Sequence, residues 1–126
     1  MKVLVDTSLF IDFLRRKDKR ESAFYSLVLA KHTLLVSIIT HTELFAGKSV
    51  WENKDAKKEL DKLLTGLKII PLTENISKLA GKIRAKNEIN VIDAIIAATS
   101  IENGLPLVTL NTKDFSKIPD IKLFEV

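Results

Sequence analysis

Short apolar runs alternate along this chain with longer stretches in which apolar residues recur every three or four positions, the pattern of strands alternating with amphipathic helices. Lys2-Val3-Leu4-Val5 ends sharply at Asp6, which suits a buried parallel strand. Thr7 or Ser8 then reads as the cap of a helix carrying Phe10, Ile11 and Leu14 inward. A second helix is predicted from roughly Arg20 to Lys31, and Leu34-Leu35-Val36-Ser37 forms the next strand. Thr40 or Thr42 opens a short helix through Leu44, Phe45 and Ala46. From Asn53 to Leu64, the residues Ala56, Leu60, Leu63 and Leu64 share one helix face, and Gly66 follows where a helix end favours glycine.

Lys68-Ile69-Ile70 makes a third strand, stopped by Pro71, and Thr73 caps a helix that buries Ile76, Leu79, Ala80 and Ile83. Val91 to Asn103 is apolar on nearly all sides, so it is expected to be central, and Gly104 closes it. Leu107-Val108 is a fourth strand and Ile121 to Phe124 a fifth at the edge. The expected fold class is α/β: one domain over residues 1–126, with three layers (α/β/α) around a parallel sheet of four to five strands.

Composition narrows the classes. Hydrophobic residues are 46% and charged residues 29% of the chain, as in globular proteins. There is no cysteine, which removes disulfides, thiolate catalysis and Cys-ligated zinc, and fits a reducing cytosol. Asp6 and Asp12 interrupt the N-terminus too early for a signal peptide and no apolar run reaches membrane-span length, so a cytoplasmic protein without membrane contact is expected. The net charge of +4 favours a polyanionic partner, although lysine-rich solvated helices give the same value.

The chain has sixteen Asp and Glu residues, and most read as solvated charges. Glu52, Asp55, Glu59 and Asp61 interleave with lysines on one helix face, and Asp18 and Glu21 lie in a basic run. Four are different. Asp6 follows the first strand, Glu43 comes just after the second, Asp93 opens the central helix, and Asp114 falls shortly after the fourth strand. In a parallel sheet all strand C-termini open on one edge, where ligands bind, so these four should converge there. Taken singly, each has an ordinary explanation as a helix cap, a first-turn acid or a turn former. Held together they repel and raise one another's pKa unless a cation neutralises them. Oxygen donors without Cys or a matched His pair favour Mg²⁺ or Mn²⁺ over zinc.

Asp6-Thr7-Ser8, Thr42-Glu43-Leu44, Asp93-Ala94-Ile95-Ile96-Ala97-Ala98 and Thr109-Leu110-Asn111 with Asp114-Phe115 occur in this order across almost the whole chain. This ordered set resembles the PIN-domain pattern, in its VapC-type toxin branch. The resemblance implies a PIN-like α/β/α fold and names Asp6, Glu43, Asp93 and Asp114 as an acidic quartet. It implies Thr109 and Asn111 as supports for the last acid and a water, and Ser8 as a neighbour of the first. Lys113 stands between the asparagine and the fourth acid, as in that branch. Lys86-Asn87-Glu88-Ile89-Asn90 departs from it, because a glycine-containing turn is usual before the central helix.

The function this implies is a Mg²⁺- or Mn²⁺-dependent endoribonuclease, the toxin of a type II toxin–antitoxin pair. One or two ions on Asp6, Asp93 and Asp114 would polarise a backbone phosphate and acidify a water for in-line attack, leaving a 5′ phosphate. Glu43 stays open between ligating, holding a second ion and orienting the water. No histidine base is required, and His32 and His41 read as surface or capping residues. RNA needs basic residues beside the acids: Arg15, Arg16 and Lys17, in a run with Lys19 and Arg20, are candidates, as is Lys113. A homodimer and a cognate antitoxin are the implied protein partners, with the aromatic region Phe10, Phe13, Leu14, Phe24 and Tyr25 as the place for an antitoxin groove. The alternative is a catalytically silent PIN-fold module for RNA binding or assembly, against which the intact quartet speaks. A phosphate-receiver module would need an acid ending the third strand, and a haloacid-dehalogenase-type phosphatase a second Asp at position 8; neither is present.

Overall fold

The computed structural model describes residues 1–126. Its sheet has four strands, β1 (Lys2–Val5), β2 (Thr33–Ser37), β3 (Lys68–Ile70) and β4 (Leu107–Val108), in the order β3-β2-β1-β4 and all parallel. Side chains alternate across the pleat, so each strand feeds two cores. Val3, Val5, Leu34, Val36 and Val108 join one apolar cluster, while Leu4, Leu35 and Leu107 join the other. Helices cover both faces, which makes the three-layer arrangement expected from the sequence.

On the first face lie α1 (Thr7–Arg15), α2 (Ala23–Leu29) and α5 (Lys54–Leu64), contributing Leu9, Phe10, Phe24, Leu27 and Leu60. On the other lie α6 (Glu74–Lys86) and α7 (Val91–Glu102), contributing Ile76, Ala80, Ile83, Ala94, Ile96, Ala97 and Ala98. From Ala94 to Ser100 all but one residue of α7 is buried, as its apolar sequence predicts, but the first turn differs: Val91 is 58% exposed and Ile92 36%. α3 (Ile38–Phe45) follows β2 directly, α4 (Lys48–Glu52) precedes α5, and α8 (Thr112–Phe115) follows β4.

Several boundaries depart from the sequence expectations. The second helix does not start at Arg20. Asp18 caps a 3-10 turn, Lys19–Glu21, by accepting from the Arg20 amide, and Ser22 then caps α2 by accepting from that of Tyr25. α2 ends at Leu29, and Lys31 adopts a left-handed φ of 60° as the chain turns into β2. Ser37, not Thr40 or Thr42, caps α3. Neither Thr7 nor Ser8 caps α1: Asp6 occupies the cap position and both hydroxyls turn to carboxylates. The expected fifth strand shrinks to one bridge, Leu107 with Leu123, because β4 is only two residues long. α4 had no anticipated counterpart. Gly66 and Gly104 take positive φ at the ends of α5 and α7 as expected.

The chain builds outward from β1 through β2 to β3 and then returns to place β4 on the far side of β1. The segments leaving β1 and β4 therefore diverge at adjacent strands, which opens a crevice at their C-terminal ends. No helix is long and apolar enough to cross a membrane.

Candidate active site

Asp6 stands at this crevice, 4% exposed, its amide bonded to the carbonyl of Val108. Its carboxylate Oδ2 accepts from the hydroxyls of Ser8 and Thr109, each at 2.7 Å. Ser8 Oγ in turn accepts from the amide of Leu110 and Thr109 Oγ1 from that of Asn111, so the exits of β1 and β4 are tied together through hydroxyls.

Glu43 reaches the crevice from α3. Its Oε1 accepts from Thr7 Oγ1 at 2.7 Å, and Thr7 Oγ1 lies 3.0 Å from Thr40 Oγ1. A hydroxyl has one hydrogen to give. The shorter contact takes it to the carboxylate, and the fully buried Thr40 hydroxyl sits against Thr7 on the other side, so the three side chains form one contiguous cluster.

Asp93 occupies the first turn of α7. Asn90 caps that helix by accepting from the Asp93 amide at 2.8 Å, and its Nδ2 donates to Asp93 Oδ2 at 2.9 Å. Asp114 lies in the first turn of α8, where Asn111 Nδ2 donates to its Oδ2 at 2.9 Å and Lys117 Nζ stands 3.9 Å from its Oδ1.

Asp93 feels the charge of the other three acids. The Asp93 carboxyl is pushed above the ordinary carboxylate range by burial first and by the charge of Asp6 next, with Glu43 and Asp114 adding to it. The Asn90 hydrogen bond acts in the opposite direction without cancelling the rise. No Lys, Arg or His forms an ion pair with Asp6, Glu43 or Asp93. Every one of the four has one oxygen held by an uncharged donor, and in Asp6, Glu43 and Asp93 the second oxygen has no protein partner.

The sequence model of the family described as "PIN domain" matches residues 3–121. The chain belongs to the PIN-domain family.

This PIN domain is 32% identical over 127 residues to Ribonuclease VapC10 of Mycobacterium tuberculosis, covering 95% of this chain and 90% of that protein. Among solved structures it resembles VapBC2 of Rickettsia felis, solved bound to a DNA fragment from its promoter, with TM-score 0.82, 25% identity and 98% of each chain covered. It also resembles a toxin-antitoxin complex from Klebsiella pneumoniae, with TM-score 0.75, 28% identity and 98% and 99% of the chains covered. The sequence resemblance to VapC-type PIN domains therefore stands.

Donor chemistry suits a hard divalent cation, since the crevice offers carboxylate oxygens and an uncompensated negative charge. Asp6, Asp93 and Asp114 could hold one, with Glu43 beside them. As placed, no three acidic or histidine side chains already form a ligand cluster, so an ion would have to draw the free oxygens together.

The basic candidates of the PIN domain divide. Arg16 Nε binds both oxygens of Asp12 at 3.0 Å, so its charge is answered within α1. Lys19 turns inward onto the carbonyls of Phe13 and Leu14, and Arg20 pairs with Asp18. Arg15 and Lys17 have no acidic partner, and Lys113 is exposed beside Asp114. Arg15 shares with Glu43 the wall of a cavity of about 590 Å³, whose apolar lining includes Leu14, Leu44, Val50 and Leu60. Phe10 and Phe24 are core residues with ring centroids 5.1 Å apart, while Phe13 and Leu14 stay partly exposed. The histidines are elsewhere: His41 packs on Phe45 and His32 on Phe124.

Thr7, Thr40 and Asn90 went unrecognised in the sequence as site residues. Two of them carried a signal in their spacing. Thr40 lies three residues before Glu43 on one helix face, and Asn90 three before Asp93, the reach of a helix cap.

Proposed function

We propose that this PIN domain is a Mg²⁺- or Mn²⁺-dependent endoribonuclease acting in the cytoplasm, as the toxin of a type II toxin–antitoxin pair. One observation carries the catalytic part. Acids from four separate segments meet at one sheet edge, each with one oxygen pinned by a neutral donor, and none of Asp6, Glu43 and Asp93 with a cationic partner. A structural role would pair these charges with Lys or Arg, because unpaired clustered carboxylates destabilise a fold. The relatives named as VapC ribonucleases and the toxin-antitoxin complexes of similar fold support the biological part.

A bound divalent ion supplies positive charge that draws in a phosphodiester and makes its phosphorus open to attack by water. The chain's own residues prepare this. Ser8 and Thr109 keep Asp6 aimed with Oδ1 free, Thr7 keeps Glu43 fixed at the crevice wall, and Asn111 holds Asp114. Glu43 has one free oxygen with which to orient the attacking water. Arg15, on the same cavity wall as Glu43, and Lys113, next to Asp114, contact backbone phosphates beside the cut, with Lys17 as a further unpaired cation for the RNA. An antitoxin segment with apolar anchors would enter the cavity between α1, α3 and α5 and so cover Glu43 and Arg15. The active unit is a homodimer.

The test is cleavage of total cellular RNA. With Mg²⁺ or Mn²⁺ the wild-type chain should cut RNA to fragments bearing 5′ phosphates, EDTA should stop it, and added metal should restore it. Asp6→Asn and Asp93→Asn should each lose on the order of 100-fold or more, as removal of a metal ligand does. Cleavage that survives EDTA, or that is equal in all three proteins, overturns the proposal.

A further inference from the structure

Between α6 and α7 the chain turns through Asn87, Glu88 and Ile89, and an asparagine, Asn90, ends the turn. Asn90 and Asp93 are joined twice: the Asn90 side-chain oxygen takes the Asp93 amide at 2.8 Å, and the Asn90 side-chain nitrogen gives to Asp93 Oδ2 at 2.9 Å. The first bond is an ordinary helix cap. The second is not needed for capping. It fixes the plane of the Asp93 carboxylate relative to the helix start.

We propose that Asn90 is a positioning residue for the cation site, which its carboxamide holds ready by fixing Asp93 with Oδ2 pinned and Oδ1 free. The proposal rests on the cation-dependent function above and adds a residue to it. A Lys or Arg at position 90 could also hold Asp93, but its charge would compete with the ion. A hydroxyl cap would leave the carboxylate free to rotate. An amide gives a donor without a charge, and its second end anchors it to the helix start, so two short bonds fix one rotamer. Partners of this kind orient ligands and strengthen metal binding by restricting them in advance. Asn90 is exposed, so water competes with its amide and the effect is graded.

Binding of Mn²⁺ alone to the full chain, read from the loss of the free-ion paramagnetic resonance signal, tests this without any activity assay. Asn90→Ser and Asn90→Thr keep a capping oxygen and remove the amide donor. Each should melt at the wild-type temperature and bind Mn²⁺ about three- to tenfold more weakly, below the usual effect of a buried partner. Thr73→Ala, which strips the cap from α6 far along the chain from the acids, should bind Mn²⁺ as the wild type does. Wild-type affinity in a folded Asn90→Ser or Asn90→Thr protein overturns the inference. So does equal weakening in Thr73→Ala, which would make the loss one of helix stability. A wild-type chain that binds no Mn²⁺ at millimolar concentration sinks the proposed function itself, a separate result.

Discussion

Thr109 donates its hydroxyl to Oδ2 of Asp6 at 2.7 Å, across 103 residues of sequence and between the ends of two adjacent parallel strands. This bond spans the point where the sheet reverses its direction of growth, and it fixes the acid most deeply placed in the crevice. Thr109→Val keeps the shape but removes the donor to Asp6 and the acceptor for the Asn111 amide. RNA cleavage should fall about 10-fold or more. Stability should fall by about 1–2 kcal/mol, because the buried Asp6 oxygen and an amide both lose a partner. Thr109→Ser should recover most of both. Cleavage rate and denaturant midpoint, measured on the same preparations, check this.

The contiguous Thr40, Thr7 and Glu43 side chains make an ordered expectation for two substitutions of equal size. Thr7→Val removes the donor to Glu43 and leaves the buried Thr40 hydroxyl without its side-chain partner. It should cost roughly 1–3 kcal/mol and most of the activity that depends on Glu43. Thr40→Val removes only the far end, so Thr7 still donates to Glu43. It should cost about 1 kcal/mol and leave cleavage nearer wild type. The reverse order of activities would show that Thr7 does not hold the acid.

The four acids were legible because a parallel sheet collects its strand ends on one edge, and Asp6, Glu43 and Asp114 each follow a strand in the sequence. What holds them was less legible. Thr7 looked like a helix cap because the residue after a buried strand usually is one. Its true partner lies on α3, and only the pairing of β1 with β2 brings them together. The same kind of miss set the wrong start for α2. Asp18 and Ser22 bond locally to amides at Arg20 and Tyr25, and these short-range bonds outcompete helix propagation through the basic run. Ile121–Phe124 has strand-like composition, but the two-residue β4 beside it leaves room for a single bridge.

Asp93 gives the metal-free protein a pH signature. Its carboxyl is raised in the fold by burial and by Asp6, so the folded state holds that proton more tightly than the unfolded chain does. The stability this contributes is complete below the ordinary carboxylate pKa and is lost as pH rises through the raised one. In EDTA-treated protein, the difference in melting temperature between wild type and Asp93→Asn should therefore shift against the wild type as pH rises from the ordinary carboxylate pKa through the raised one. Mg²⁺ should restore the wild type at the upper end and do less for the variant. A difference independent of pH would remove Asp93 from the coupled set.

The basic run separates by partner. In an Asp6→Asn background that binds RNA without cutting it, Lys17→Ala and Lys113→Ala should each weaken binding and lower the slope of log affinity against log salt by about one. Arg16→Ala should leave that slope nearly unchanged, because Asp12 already neutralises the guanidinium. Equal slopes for all three would place the RNA elsewhere on the surface.

The claim at the centre of this account is that carboxylates from four segments gather around one cation site. Anomalous diffraction from crystals of the full chain soaked in Mn²⁺ measures it directly. The expected result is a peak within coordination reach of Asp6 and Asp93, with Glu43 or Asp114 beside it and the Asn90 bond to Oδ2 retained. A crevice without a peak, at a Mn²⁺ concentration that supports RNA cleavage in solution, would contradict the claim.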